Sequence, residues 1–349
     1  FLAKKRGYKK EDIADYEVEP VVLAQLIVHQ KLKAVRKRIR DFQFVDINAI
    51  YEQLFADSLK LAQLTGKTPA EWTEICVATV KMLDDEKLFY EDATPFLLLK
   101  ELILGFQMNN AIKHLVVDEA QDYSPFQFEF LKRLFPMARM TVLGDFNQAI
   151  FAHASEMNDF RILMSLYGEE KTEVINMTRS YRSTKPIIEF TRSLIPNGEK
   201  IIPFERDGER PVLTHVENHT ELHRGITSKV AEFRGLGYHS IAIICKSAEE
   251  SKRAYEALSD IEDLKLLKNN SIEYEQGVVV IPSYLAKGIE FDAVIIYDAS
   301  AEVYGDESLL RTFYTACTRA MHHLQLYSVG KLTPLVDVGP SSTHFLEME

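Results

Sequence analysis

Asp118 and Glu119 follow the apolar run Leu115-Val116-Val117 and lead into Ala120-Gln121-Asp122. An apolar strand that ends in two carboxylates delivers both to the C-terminal edge of a sheet, where open α/β sheets bind ligands. There Asp118 can hold Mg2+ through its water shell, and Glu119 can orient or deprotonate an attacking water. Asp-Glu alone would equally suit an acidic turn; the extension to Asp-Glu-Ala-Gln-Asp argues against that. A second apolar run ends in Gly144-Asp145-Phe146-Asn147-Gln148-Ala149-Ile150. Its glycine permits close backbone approach, and Gln148 is a neutral donor suited to sensing a γ-phosphate. In Arg179-Ser180-Tyr181-Arg182-Ser183 an arginine can neutralise charge on a transferred phosphoryl group, and a tyrosine offers a flat face to a base. Two weaker segments follow, Ala286-Lys287-Gly288-Ile289-Glu290-Phe291 and Cys317-Thr318-Arg319-Ala320. Taken singly they mean little, because an arginine on a helix is usually solvated.

Elements must carry these residues. From residue 112 onward, apolar runs alternate with helical stretches. Strands are predicted at Ile112–Val117, Met140–Gly144, Glu173–Met177, Ser240–Cys245, Gly277–Ile281 and Ala293–Tyr297. Helices are predicted near 125–135, 184–195, 219–236, 248–260 and 307–321, with a polar loop over Asn197–Gly208. Strands alternating with helices imply a parallel sheet covered on both faces. Residues 1–105 read as mostly helical. Pro20 suits a first helical turn, and Val28, Leu32, Val35 and Ile39 then share one stripe. Lys31, Lys33, Arg36, Lys37, Arg38 and Arg40 occupy the other faces, either as a surface for nucleic acid or a partner, or as an ordinary solvated face. Thr68-Pro69-Ala70-Glu71 has the form of a helix start.

The chain has 349 residues, 46% of them hydrophobic and 27% charged, with room for two or three domains and a full core. No apolar run reaches the roughly 18 residues of a membrane span, and no secretory leader is expected. Cys76, Cys245 and Cys317 are odd in number and far apart, so three buried thiols are expected rather than disulfides or a zinc site. The net charge of −11 is uneven: residues 1–40 hold eleven basic and five acidic side chains. That balance excludes a protein coated with phosphate contacts and allows local contact with nucleic acid or with a protein.

The five segments run in one order over some 200 residues, and in that order they resemble motifs II to VI of superfamily 1 helicases of the UvrD/Rep/PcrA group. The resemblance covers roughly residues 106–330. Within the group it is closest to HelD-like proteins, which act on RNA polymerase. Three features carry that likeness: the lead-in Tyr90–Lys100, the continuation Asp122-Tyr123-Ser124, and the short interval from Arg182 to Lys287. UvrD and Rep place a large extra domain in that interval.

The resemblance implies parallel-sheet, RecA-like (P-loop NTPase) domains of α/β class. One would be partial, over 106–168, and one complete, over 169–349, behind a helical arm at 1–105. It implies ATP and Mg2+ as cofactors, with Asp118 on the metal and Glu119 on the catalytic water. Gln148 would link the γ-phosphate to the nucleic-acid site, and Arg182 and Arg319 would be arginine fingers. Tyr181 would stack on adenine, Glu290 would meet the ribose, and Lys287 and Gly288 would couple nucleotide to nucleic acid. DNA is the implied partner, with RNA polymerase in the HelD-like case. A monomer in a bacterial cytoplasm is expected.

Departures weigh against simple strand tracking. Phe151 and His153 stand where the family's motif III has Tyr and Trp, which stack on single-stranded bases. Pro282 and Tyr284 stand where motif V has Thr and His. Phe151, His153 and Tyr284 are therefore the candidate nucleic-acid contacts. No GxxxxGK[ST] occurs; Gly66-Lys67-Thr68 is preceded by Leu61 where a P-loop needs glycine. A chain that starts at Phe1 without a P-loop is expected to be a fragment that hydrolyses ATP negligibly by itself. The competing expectations are a UvrD-like repair helicase and a non-catalytic regulator on a vestigial ATPase fold.

Overall fold

A computed structural model describes residues 20–56, 63, 66, 70–150, 161–268, 276–336 and 346–348. The chain divides into two compact units, residues 1–112 with 130–137, and residues 113–129 with 138–349. The described part of the first unit is helical, as the sequence predicts. Its helices are α1 (Pro20–Lys31), α2 (Lys33–Arg40), α3 (Ile47–Ala56), α4 (Trp72–Asp84) and α5 (Tyr90–Leu104). Tyr51 of α3 is its buried centre. The Tyr51 ring meets Phe55 and Phe96, and its hydroxyl donates to Asp92 Oδ1 at 2.9 Å. Pro20 does begin α1. The stripe of Val28, Leu32, Val35 and Ile39 lies exposed on α1–α2. The capped start at Thr68-Pro69 falls outside the described residues, and α4 begins at Trp72.

The second unit is α/β. Strands β1 (His114–Val117) and β2 (Arg139–Val142) pair in parallel, from His114 opposite Arg139 to Val117 opposite Val142. Between them in the chain lies α6 (Pro125–Leu134), of which residues 125–129 belong to this unit. Its start is a reciprocal cap: Gln127 N–H donates to Ser124 Oγ, and Ser124 N–H donates to Gln127 Oε1. Pro125 occupies the first helical position, where its missing N–H costs nothing. After α7 (Arg161–Tyr167) come the short parallel pair β3 (Arg179–Ser180) and β4 (Ile202–Pro203), on either side of α8 (Lys185–Ser193).

A seven-stranded parallel sheet completes the unit. Its elements are β5 (Val212–Val216), α9 (His219–Gly235), β6 (Ser240–Cys245), α10 (Ala248–Ala257), β7 (Leu264–Leu266), β8 (Gly277–Pro282), α11 (Ser283–Ala286), β9 (Phe291–Ile296), α12 (Leu310–Cys317), β10 (Ala320–Val329) and β11 (Leu346–Met348). The spatial order is β11-β5-β10-β9-β6-β8-β7, every pair parallel. The central runs Ile241–Cys245, Val278–Ile281 and Ala293–Ile296 are buried throughout, because helices cover both faces. One core, around Ile244, Ile281, Val294 and Phe313, takes in Ile187 of α8 and Cys317 of α12. The other, around Ile243, Val280 and Ile295, takes in Ile226 of α9 and Ala254 of α10. Cys76, Cys245 and Cys317 are all buried free thiols.

The expected strand at Glu173–Met177 does not form. Ile175 and Met177 are 75% and 85% exposed, and strand pairing begins only at Arg179. The Asn197–Gly208 loop contains a short 3-10 turn as well as β4. The helix expected over 307–321 ends at Cys317, and Thr318-Arg319 turns the chain into β10. No described helix is long and apolar enough to cross a membrane.

Candidate active site

The turn after β1 holds the two acids. Asp118 is exposed, and its Oδ1 accepts the Glu119 N–H at 2.9 Å. Glu119 adopts a left-handed conformation (φ 49°), which a side-chain-bearing residue rarely takes. Two backbone bonds tie the turn to β2's exit: Leu143 N–H to the Val117 carbonyl and Ala120 N–H to the Leu143 carbonyl, each 2.8 Å. Gly144 is required here. A Cβ at that position would lie 2.6 Å from Gln121 Oε1 and 3.2 Å from the Ala120 nitrogen.

From Glu119 a chain of polar contacts runs to Arg319. Gln121 is wholly buried. Its Nε2 donates to Glu119 Oε2 at 2.5 Å, and its Oε1 accepts the Asp145 N–H at 3.0 Å. Asp145 Oδ2 accepts from Gln148 Nε2 at 2.8 Å, and Gln148 Oε1 accepts from Arg319 Nη2 at 2.5 Å. The 3-10 turn Phe146–Gln148 that presents Gln148 packs against α12, the helix that ends just before Arg319. A branch enters at Lys287. Its ammonium donates to both Asp122 oxygens at 2.6 and 2.7 Å and to the Gln148 carbonyl at 2.9 Å, and lies 3.7 Å from Glu119 Oε2.

Arg319 is 1% exposed. Its Nε donates to the Thr315 carbonyl at 3.0 Å. Burial and the neighbouring Arg182 charge push it down to about 10, while Glu119 and Glu290 oppose the shift. Those influences place Arg182, Glu119 and Glu290 in its surroundings. Arg182 itself is hydrogen-bonded and ion-paired with Glu290. Tyr314, deeply buried, is pushed up by desolvation and the Asp145 carboxylate, so its phenol stays protonated.

Motif by motif, the structure gathers Glu119, Gln148, Lys287 and Arg319 into one network and joins Arg182 to Glu290. Tyr181 is 59% exposed, its ring 5.2 Å from the half-exposed Phe204. Gly288 takes a left-handed φ of 79° with open space around it. Tyr284 lies part-buried on α11. Phe151 and His153 fall outside the described residues. Asp118 makes no link to the network beyond its contact with the Glu119 backbone among the described residues. Its carboxylate at a strand end suits Mg2+, which keeps much of its water shell and needs one or two carboxylates. Among the described residues no three His, Cys, Asp or Glu side chains converge on a metal position. Sequence reasoning gives no role to Gln121, Asp122 and Asp145. Polar residues inside a motif, at positions the fold must bury, are the signal that could have found them.

The UvrD/REP helicase N-terminal domain matches residues 11–161, and the UvrD-like helicase C-terminal domain matches residues 277–327. This chain carries UvrD/Rep-type superfamily 1 helicase domains. The relatives it resembles are DNA helicases by name, those from Schizosaccharomyces pombe and Escherichia coli ATP-dependent ones. A probable DNA helicase II homolog of Mycoplasma capricolum is 30% identical over 137 residues, 37% of this chain and 19% of that protein. The ATP-dependent DNA helicase srs2 of Schizosaccharomyces pombe is 29% identical over 164 residues, 43% of this chain and 18% of that protein. The Rep helicase of Escherichia coli is 34% identical over 98 residues, 28% of this chain and 14% of that protein. The chain thus spans less than a fifth of each of these three relatives. The solved C-terminal domain of a possible DNA helicase from Lactobacillus plantarum is 34% identical, covering 49% of this chain and 99% of that one, at a TM-score of 0.42.

Proposed function

We propose that the protein is an ATP-dependent superfamily 1 DNA helicase or translocase, and that this chain supplies the hydrolytic and coupling groups. The observation that carries the reading is the unbroken polar chain from Glu119 through Gln121, Asp145 and Gln148 to Arg319. A water-orienting acid, a γ-phosphate sensor and a cationic finger within one network are what phosphoryl transfer asks of a protein. In this reading residues 106–168 belong to the first RecA-like lobe and 169–349 form the second, with MgATP held between them. Asp118 holds the metal, Tyr181 stacks on adenine, Glu290 meets the ribose, and Arg182 and Arg319 turn to the γ-phosphate. For Arg182 that requires exchanging Glu290 for phosphate. Phe151, His153 and Tyr284 remain the proposed nucleic-acid contacts.

The test is Glu119→Gln in the full-length protein. ATP hydrolysis should fall by about 100-fold or more, the usual span for a lost general base, while nucleotide binding persists. Unchanged hydrolysis overturns the assignment and favours a non-catalytic regulator.

One observation favours a HelD-like specialisation toward RNA polymerase over a UvrD-like repair role. Between Arg182 and Lys287 the described residues form α8, a short 3-10 turn, β4, β5, α9, β6, α10, β7, β8 and α11, all within the second unit. Co-purification with RNA polymerase supports the specialised role; robust duplex unwinding without affinity for the polymerase selects the repair helicase.

A further inference from the structure

We propose that Gln121 is a positioning residue for ATP hydrolysis. It aims the Glu119 carboxylate, and it can do so only while the Gly144–Gln148 turn holds its shape. The proposal rests on the reading of Glu119 as the group that handles the attacking water.

Chemistry fixes the orientation of the Gln121 amide. A backbone N–H can only donate and an ionised carboxylate can only accept. The oxygen must therefore face the Asp145 N–H and the nitrogen must face Glu119 Oε2, as found at 3.0 and 2.5 Å. The reverse orientation would set donor against donor and acceptor against acceptor. The amide also has no space to swing, since it lies against Gly144 with no room for even a Cβ and is itself wholly buried.

Glu119, by contrast, has freedom to lose. Its side chain is 45% exposed, and Lys287 Nζ lies 3.7 Å from the same Oε2. Without the Gln121 donor, that ammonium is a competing attraction. Gln121 holds Oε2 and leaves Oε1 without a hydrogen bond among the described residues, free to accept from a water. The anchor for this hold is the Asp145 N–H. The side chain of Asp145 in turn holds Gln148, and Gln148 holds Arg319. Whatever moves Arg319 on nucleotide binding pulls on the same turn that fixes Gln121, so the aim of the acid is tied to the state of the finger.

A purely architectural role for Gln121 predicts something different: lower stability with unaltered kinetics of the folded fraction. Two substitutions in the full-length protein separate the possibilities. Gln121→Met keeps the volume and removes both hydrogen bonds. It should lower kcat for ATP by about 10-fold or more while KM stays within about two-fold, the pattern of a group acting only in the transition state. In a Glu119→Gln background it should cause little further loss, because Gln121 acts through Glu119. Gln121→Glu is isosteric and sets two carboxyl groups side by side. Such a pair keeps one shared proton to unusually high pH. While that proton is present, position 121 can still donate to Glu119, so this variant should be active at low pH and lose activity as pH rises. A kcat for Gln121→Met within about two-fold of wild type overturns the proposal, as does a further full-sized loss in the Glu119→Gln background. If Gln121→Met does not fold, a Gln121→Glu pH profile parallel to wild type overturns it instead. Full hydrolysis by Glu119→Gln alone would remove the catalytic reading itself, whereas loss there with normal Gln121 variants refutes only this inference.

Discussion

Replacing Lys287 with methionine tests the network through stability alone, without assuming any reaction. The Lys287 side chain is 7% exposed and that of Asp122 is 22% exposed. The ammonium satisfies its donors on Asp122 and on the Gln148 carbonyl. Methionine fills the stem's volume but removes the ammonium that donates to both Asp122 oxygens in a poorly hydrated site. Removing one member of a fully buried pair costs about 3–5 kcal/mol. Asp122 retains some access to water, which brings the expected cost to the bottom of that range or just under it, about 2–3 kcal/mol. Replacing both, as Lys287→Met with Asp122→Leu, should cost less than the two single changes added together, by about 1.5–3 kcal/mol for groups in one network. The assay is urea unfolding followed by far-UV circular dichroism. The single tryptophan, Trp72, lies in the helical unit and would report on the wrong part of the chain. A cost for Lys287→Met below about 0.5 kcal/mol, the range of ordinary surface changes, would refute the claim that this ion pair holds the site together.

Two further outcomes are expected. Tyr304 is fully buried, and its hydroxyl has no hydrogen-bond partner among the described residues; Tyr304→Phe should therefore stabilise the protein by about 1 kcal/mol in the same unfolding assay, and a loss of that size would mean the hydroxyl is bonded after all. His223, His322 and His323 are all held below the usual histidine range, first of all by burial. Unfolding then takes up protons, so stability should be complete above the unfolded value of about 6.5 and decline as pH drops below it. His322→Gln should flatten that decline in melting temperature between neutral and acid pH; an unchanged slope would show that His322 takes no part in it.

Local patterns make much of the scaffold legible in the sequence. The buried runs of β6, β8 and β9 read directly as strands because both faces of a parallel strand are covered. The helices between them read from their apolar spacing and polar starts: Asn218 and Ser247 each cap the helix that follows by accepting an N–H three residues on. β10 is hidden because it begins with Ala-Met-His-His directly after a helix, and polar histidines mask alternation. Glu173–Met177 misleads for the opposite reason, since its composition suits a strand but no neighbour pairs with it. At the site, the order of motifs points to Glu119, Gln148, Lys287 and Arg319. It does not say that Lys287 spends its charge on Asp122, 165 residues away, or that Arg319 bonds Gln148, 171 residues away. Such pairs depend on which loops the sheet order brings together, and that order is a property of the whole fold.

Arg319 shows what this arrangement costs and why the cost is tolerated. Folding takes a guanidinium almost entirely out of water beside a second cation, Arg182, and that environment disfavours its charged form. Neither of its nearest polar contacts, the Thr315 carbonyl and the Gln148 amide oxygen, carries a full negative charge. A residue kept only for stability would be better replaced by an apolar side chain of similar size. Under the function proposed above, an arriving phosphate would be a stronger partner than either of these neutral groups, and that would account for keeping a desolvated cation here.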